Sequence, residues 1–496
     1  MAWLAWAEAD APAATAAPTP LRAAAVSHPR IFLTPSALSS LRRRAAANTD
    51  EWRGLHARCA HLLRGRIYLP NDQNNTSPDV GIGSGYQGDG YFSPLLELGL
   101  CYQTLAPSNR AESLRYGRRA VKVLMAMAIS AGPAAPNPLR DDGYGIRFYG
   151  QGLALGFDWL HGLLSSRQRR QVVRALNRWV DAFARGGFER NFPQGNYYAG
   201  YYAATAYDAL ATAGENSDPS ANFSAWLSRV HDRFVAPYYL QNLSGGGWPE
   251  GWNYGPGGTQ YMSLPALAVR GATGIDLVHR SPTPYPFPIS AAYALIYLTW
   301  PNYQTFENSD DLYPGADPTR IPWWFLPSEA GTLESLGDPG APYFHAWAQT
   351  VLATLGPASS DQLDRTLWTK FLFWDPSAQT KDFRTLPLSA YLKGIENVVM
   401  RSDWTTDALW GWMEAGPYIN YTQNGEEYND QGSVAIVNGD RPLLVNAAAA
   451  LQTYPNANST DGEQYQDAVA NDLNQGNADI LNVFYVNQPT PWGQGI

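Results

Sequence analysis

From His28 to about Asp375 one helical pattern follows another with no convincing strand between them, and this run limits the possible folds more than any other feature of the chain. Apolar residues recur at three- and four-residue spacing, which predicts helices over 36–48, from Asp50 or Glu51 through Leu63, and at about 95–105, 110–130, 146–164 and 167–184. Further patterns cover about 198–213, 221–243, 255–271, 289–300, 343–355 and 362–373. Thr34 is a good N-cap and Pro35 a good first helical residue, and Ser93-Pro94 repeats that device. Short connections favour antiparallel neighbours, and about a dozen helices paired in this way can close into an α/α toroid. No sequence repeat is visible.

The pattern breaks twice. Between Pro301 and Ser328 runs a Pro- and Asp-rich stretch in which Asp310, Asp311 and Asp317 are candidate calcium ligands, although the alternating spacing of an EF-hand is absent. From about Pro387 the signal turns to β. The apolar runs 434–437 and 442–445 flank Asn438-Gly439-Asp440-Arg441, and Asn-Gly supplies the positive φ of a tight turn, so a β-hairpin is expected. Just before it, Glu426, Glu427, Tyr428 and Asp430 fall within five positions. Beyond Asn474 only 480–486 reads as a strand, so the final domain is small or incomplete.

Composition narrows the function. A formal charge of −9 argues against a nucleic-acid binder, because phosphate affinity needs clustered Lys and Arg. It leaves room for an acidic substrate in a locally basic cleft. Eighteen Trp and 29 Tyr are many, and flat rings with polar edges suit sugar faces, though most must be packed core. Cys59 and Cys101 sit in helical patterns and are expected as buried thiols, with a disulfide between them if the protein is exported. Residues 1–27, Ala/Pro-rich with Ala-Glu-Ala-Asp-Ala, read as the remnant of an export signal or a flexible leader, hence a secreted or periplasmic protein. No uninterrupted apolar run is long enough for a membrane span, and oligomeric state is not legible.

Three stretches carry a family resemblance. His28-Pro29-Arg30-Ile31-Phe32-Leu33-Thr34-Pro35, Gly156-Phe157-Asp158-Trp159-Leu160 followed by Leu164-Ser165-Ser166-Arg167, and Val398-Val399-Met400-Arg401-Ser402-Asp403-Trp404 followed by Ala415-Gly416-Pro417 resemble the heparinase II/III-like polysaccharide lyases and related alginate and oligouronide lyases. The resemblance implies an α/α toroid (an incomplete helical barrel) over 28–380, an antiparallel β-sandwich over 381–496, and a substrate groove between them.

It also implies β-elimination at a uronic acid. Taking the C5 proton builds charge beside a carboxylate, which must be neutralised, while a base and an acid serve C5 and the departing O4. One tyrosine can fill both roles if positive charge favours its phenolate. By resemblance Asn196, in Gly195-Asn196-Tyr197-Tyr198-Ala199-Gly200-Tyr201-Tyr202, neutralises the carboxylate, and a helix N-terminus suits an anion. Tyr254 matches the catalytic tyrosine of a glycine-rich loop, Gly245-Gly246-Gly247-Trp248-Pro249-Glu250-Gly251-Trp252-Asn253-Tyr254-Gly255, with Tyr261 in reserve. Such a stretch is expected to be neither helix nor strand, which leaves Trp248 and Trp252, with Tyr198 and Tyr202, to line the substrate. Arg147 and Arg401 are candidate partners of the carboxylate or the phenolate.

The chain departs from the family at Glu426-Glu427-Tyr428-Asn429-Asp430-Gln431-Gly432-Ser433, where relatives carry H-x-H-x-D-x-G-S. Both histidines are absent, and with them a zinc ligand. Tyr428 or Glu426 then takes the missing role, Asp430 still matches, and among seven histidines only His345 is a substitute, more readily structural. No cofactor is expected, and a structural divalent metal is possible but not indicated. The departure keeps a glycoside hydrolase open, with Glu250 paired to Glu426, Glu427 or Asp430, and beyond it a noncatalytic carbohydrate-binding protein.

Overall fold

A computed structural model describes residues 27–71, 80–81, 86–193, 195–241, 243, 245–248, 251–280, 286–287, 289–304, 325–355, 360–393, 396–414 and 434–444. Residues 1–26 and 474–496 lie outside these. Two kinds of helix alternate along the chain. In Ile146–Leu160 every residue but Phe148 is buried, and in Asn196–Ala211 every residue but Tyr197 and Tyr201. A helix apolar all round must sit inside a protein, not on its surface. By contrast Ser166–Gly186 buries only the stripe Val172, Ala175, Leu176, Trp179, Val180 and Phe183, and it starts from a capping box between Ser165 and Gln168.

The inner helices Asp89–Leu105, Ile146–Leu160, Asn196–Ala211, Gly251–Thr273, Leu326–Leu336 and Ser360–Phe373 each pack on the next, and the last packs back on the first. The helices between them cover the ring from outside, giving an α/α toroid; one of these, Ile289–Leu298, is itself buried everywhere but at Tyr293. Asp158 locks its seam. This buried carboxylate accepts the backbone N–H groups of Arg30 (2.8 Å) and Ile31 (2.8 Å), while Trp159 donates its indole N–H to Ile31 O at 3.0 Å. The two motif stretches His28–Pro35 and Gly156–Leu160 therefore meet in space.

Several expectations are corrected. The glycine-rich stretch becomes helix at Gly251, because ring packing outweighs the low intrinsic propensity of Gly and Pro. The helix expected over 221–243 divides into Phe223–Trp226, a π-helical stretch Leu227–Val235, and Ala236–Gln241. Leu326–Leu336 went unread because Pro327 and Gly331 interrupt its pattern. Cys59 and Cys101 form a disulfide between Asp50–Leu62 and Asp89–Leu105 instead of standing as thiols.

After the toroid comes a five-stranded antiparallel meander: β1 Ser389–Leu392, β2 Asn397–Arg401, β3 Leu409–Glu414, β4 Val434–Asn438 and β5 Arg441–Leu444. The expected hairpin is β4–β5, with Gly439 at φ 64° and Asn438 opposite Arg441. Alternation places Ala390, Val399, Trp410, Trp412, Ala435 and Val437 on the buried face. Trp410 donates its indole N–H to Tyr297 O at 3.0 Å, fixing the sheet to the toroid.

Inside the ring, Glu329 is fully buried with Ser263 facing it, and burial pushes its carboxyl up to about 8. The unfolded chain releases this proton first, so stability is full below about pH 4.5, falls as pH rises toward 8, and is flat above. At pH 7 the cost is roughly 3 kcal/mol. Glu329→Gln should therefore raise the thermal midpoint at pH 8 and leave it nearly unchanged at pH 4. Melts at the two pH values check this, and an equal effect at both would refute it.

Candidate active site

The loops that precede three inner helices converge on one side of the ring. Residues 140–145 are tightly coiled, with Asp141 and Asp142 at φ 52° and 53° and Gly143 at 93°. Asp141 accepts the backbone N–H of Gln87 (3.2 Å) and its side-chain amide (3.1 Å), and Phe188 N–H donates to Asp142 O at 2.8 Å. The starts of Asp89–Leu105, Ile146–Leu160 and Asn196–Ala211 are thus knitted together. The positive dipole ends of these three helices favour an anion there.

At the centre lies a buried pair. Asn196 is the first residue of its helix and 2% exposed, and Arg147, in the first turn of the neighbouring helix, is 5% exposed. The Arg147 guanidinium donates from Nη2 to Asn196 Oδ1. Because a guanidinium can only donate, this bond fixes the amide: Oδ1 faces Arg147, and the Nδ2 amino group, with two donors, points the other way. The guanidinium carbon also stands 3.7 Å from the Tyr144 ring centre, 4.9 Å from Tyr197 and 5.9 Å from Tyr261, so aromatic faces help to hold the buried charge. The Arg147 stem runs over Gly200, where any side chain would collide with it.

An aromatic rim surrounds the pair. Tyr86 stacks on Tyr144 at 3.8 Å, Tyr144 meets Tyr197 edge-on at 5.3 Å, and Phe188 meets Tyr197 at 5.2 Å. Tyr86 and Phe188 are 45% and 38% exposed, as platforms for sugar rings would be. The sequence reading missed Tyr86, Tyr144, Tyr197 and Phe188. A signal was present: Gly85-Tyr86-Gln87-Gly88 and Gly143-Tyr144-Gly145 are glycine-flanked tyrosines before a helix start, like the stretch that drew attention to Tyr254.

Of the predicted residues, Asn196, Arg147 and Tyr261 are brought together. The backbone of Trp252 and Tyr254 lies in the first turn of Gly251–Thr273, the helix that carries Tyr261. Glu250, Glu426, Glu427, Tyr428 and Asp430, with Asp310, Asp311 and Asp317, lie outside the described residues. Other expectations are corrected by burial. Tyr198 is sealed in the core, and burial holds its phenol well above the ordinary range. Tyr202 is fully buried, with its hydroxyl 2.9 Å from His231 Nδ1. The Trp248 ring packs into the space left by the missing side chain of Gly258, which hides it from substrate. Arg401 is committed to structure: Nη2 donates to Thr299 O at 2.8 Å, and the guanidinium lies 3.9 Å over Trp404. His345 is buried between Glu334 (3.0 Å) and the Trp374 ring, a structural position as expected.

No protein-family profile and no curated protein sequence matches the chain. Among solved structures it is similar to the heparan sulfate lyase HepC from Pedobacter heparinus, with 13% identity, a TM-score of 0.43, and coverage of 84% of this chain and 64% of that one. A heparinase III structure gives 13% identity and a TM-score of 0.46 over 85% of this chain and 67% of that one. A Paenibacillus xanthan lyase gives 12% identity and a TM-score of 0.43, over 82% and 40%. The chain thus spans just under two thirds of the length of HepC.

The tight seat of Arg147 on Gly200 can be tested directly. Gly200→Ala puts a methyl group where the Arg147 stem lies, and overpacking of this kind costs about 1–3 kcal/mol. The variant should melt lower than the wild type. An unchanged midpoint would show that the arginine stem is free to move.

Proposed function

We propose that the protein is a polysaccharide lyase that cleaves a uronic-acid-containing polysaccharide by β-elimination. The observation that carries the reading is the Arg147–Asn196 pair, an amide with two donors held in a fixed orientation at the start of a buried helix, inside an aromatic rim. A uronate carboxylate accepts from the Asn196 Nδ2 group. Charge that builds on that carboxylate as the C5 proton leaves then meets fixed donors, helix N-termini and a nearby guanidinium.

Tyr254, seven residues or about two turns before Tyr261 on one helix, removes the C5 proton and delivers a proton to O4 as that bond breaks. The positive charge of Arg147 favours the phenolate. The chemistry closes without a redox or group-transfer cofactor. Tyr86, Tyr144, Tyr197 and Phe188 receive the sugar faces, and Trp252 is a further candidate from the helix that carries Tyr261. A secreted or periplasmic location fits the Cys59–Cys101 disulfide, since such bonds persist in oxidising compartments. No described helix is long and apolar enough to cross a membrane.

Tyr254 and Glu250 separate elimination from hydrolysis. On a uronate polysaccharide, Tyr254→Phe should lower kcat by orders of magnitude with binding nearly kept, and Glu250→Gln should cost less. Elimination leaves a conjugated C4–C5 double bond that absorbs in the ultraviolet. Reducing ends without any rise in absorbance, together with an active Tyr254→Phe and a dead Glu250→Gln, would replace this reading with the hydrolase.

A further inference from the structure

Away from this site, three potential ligands meet where the segment before the first helix crosses the toroid. His28 lies in that segment, His161 just after Ile146–Leu160, and Glu215 after Asn196–Ala211. Their ligand atoms all lie within 4.8 Å of one another. His28 Nε2 is 3.3 Å and His161 Nε2 2.7 Å from the same oxygen, Glu215 Oε1.

A carboxylate behind His28 fixes how its ring faces the cluster. His28 Nδ1 is 2.6 Å from Asp158 Oδ1, and that buried carboxylate already accepts two backbone N–H groups, so the imidazole is the donor. That bond turns the other ring nitrogen, Nε2, toward Glu215 Oε1, the oxygen that His161 also faces. A carboxylate on the far nitrogen is also the arrangement that orients metal-bound histidines and raises their basicity. Arg169 Nη1 approaches Glu215 Oε2 at 3.9 Å, which leaves Oε1 to the histidines.

We propose that His28, His161 and Glu215 form a zinc-type divalent metal site, with Asp158 orienting His28 and water completing the shell. Two imidazoles and a carboxylate select a transition metal over calcium or magnesium. A 3.3 Å separation matches the edge of a tetrahedron with bonds of about 2.0 Å. The two rings now lie face to face, with centres 3.8 Å apart and 14° from parallel, so an ion in both ring planes requires them to open. His161, on the short turn His161–Leu163, is the more exposed ring and the one that swings. The bound ion would clip three separate chain segments together, a stabilising role apart from the proposed chemistry.

The test uses the full chain, stripped with chelator and titrated with Zn²⁺ by calorimetry, with Co²⁺ as a spectroscopic probe. One ion should bind per chain, raise the thermal midpoint, and give the intense visible Co²⁺ bands of a four-coordinate site. His161→Ala and the near-isosteric Glu215→Gln should each weaken Zn²⁺ binding by roughly tenfold or more, while melting like the wild type in chelator. If His161→Ala fails to fold, Glu215→Gln and the Co²⁺ spectrum of the wild type decide. No binding by the wild type, or binding unchanged in Glu215→Gln, would show that protons alone occupy the cluster.

Discussion

An arginine held at 5% exposure is the constraint on which the rest of the candidate site depends. A buried charge is tolerated only where neighbours replace its water, and Arg147 finds that replacement in Asn196 and in aromatic faces supplied by Tyr144, Tyr197 and Tyr261. These partners come from three stretches of chain, at Tyr144, at Asn196-Tyr197 and at Tyr261, so the cation is fully surrounded only when three inner helices are in register. The same contacts fix the Asn196 amide. Stability and the geometry available for chemistry are therefore set by one group.

The toroid makes this arrangement possible because successive inner helices are separated by outer ones. Helix starts then gather on one side, and loops of 86–88, 140–145 and 187–193 form a shared surface at the positive ends of the dipoles. The helix dipoles favour an anion on that side of the ring before any side chain is chosen. What the side chains add is orientation, through the bond between Arg147 and Asn196, and flat surface, through Tyr86 and Phe188.

Much of this was legible in the sequence, where local chemistry decides the outcome. Thr34, Asn109 and Ser165 cap helices through their own side chains, and Gly439 turns the β4–β5 hairpin, each for a reason visible within four residues. The pairing of Arg147 with Asn196 was reachable only as two separate candidates, since 49 positions separate them. Other features were set by packing at long range. Gly251–Thr273 is helical despite its glycines because it fills the ring, and Tyr202 and Trp248 are buried because residues distant in sequence, His231 in one case and Gly258 in the other, accommodate them. Aromatic rings in a motif-like stretch therefore did not distinguish a sugar platform from a core plug; the difference lay in what stood opposite.

The central claim, that Arg147 and Asn196 act as one unit on the substrate carboxylate, is tested most directly by a double-mutant cycle on kcat/KM, read from the ultraviolet absorbance of the unsaturated product. Asn196→Ala, Arg147→Met and the double variant are compared with the wild type. If the guanidinium acts through the amide, the double variant should lose about as much as the more damaged single variant, leaving a coupling energy well above the ~0.5 kcal/mol expected of independent sites. Losses that simply add would show two residues working separately and contradict the account.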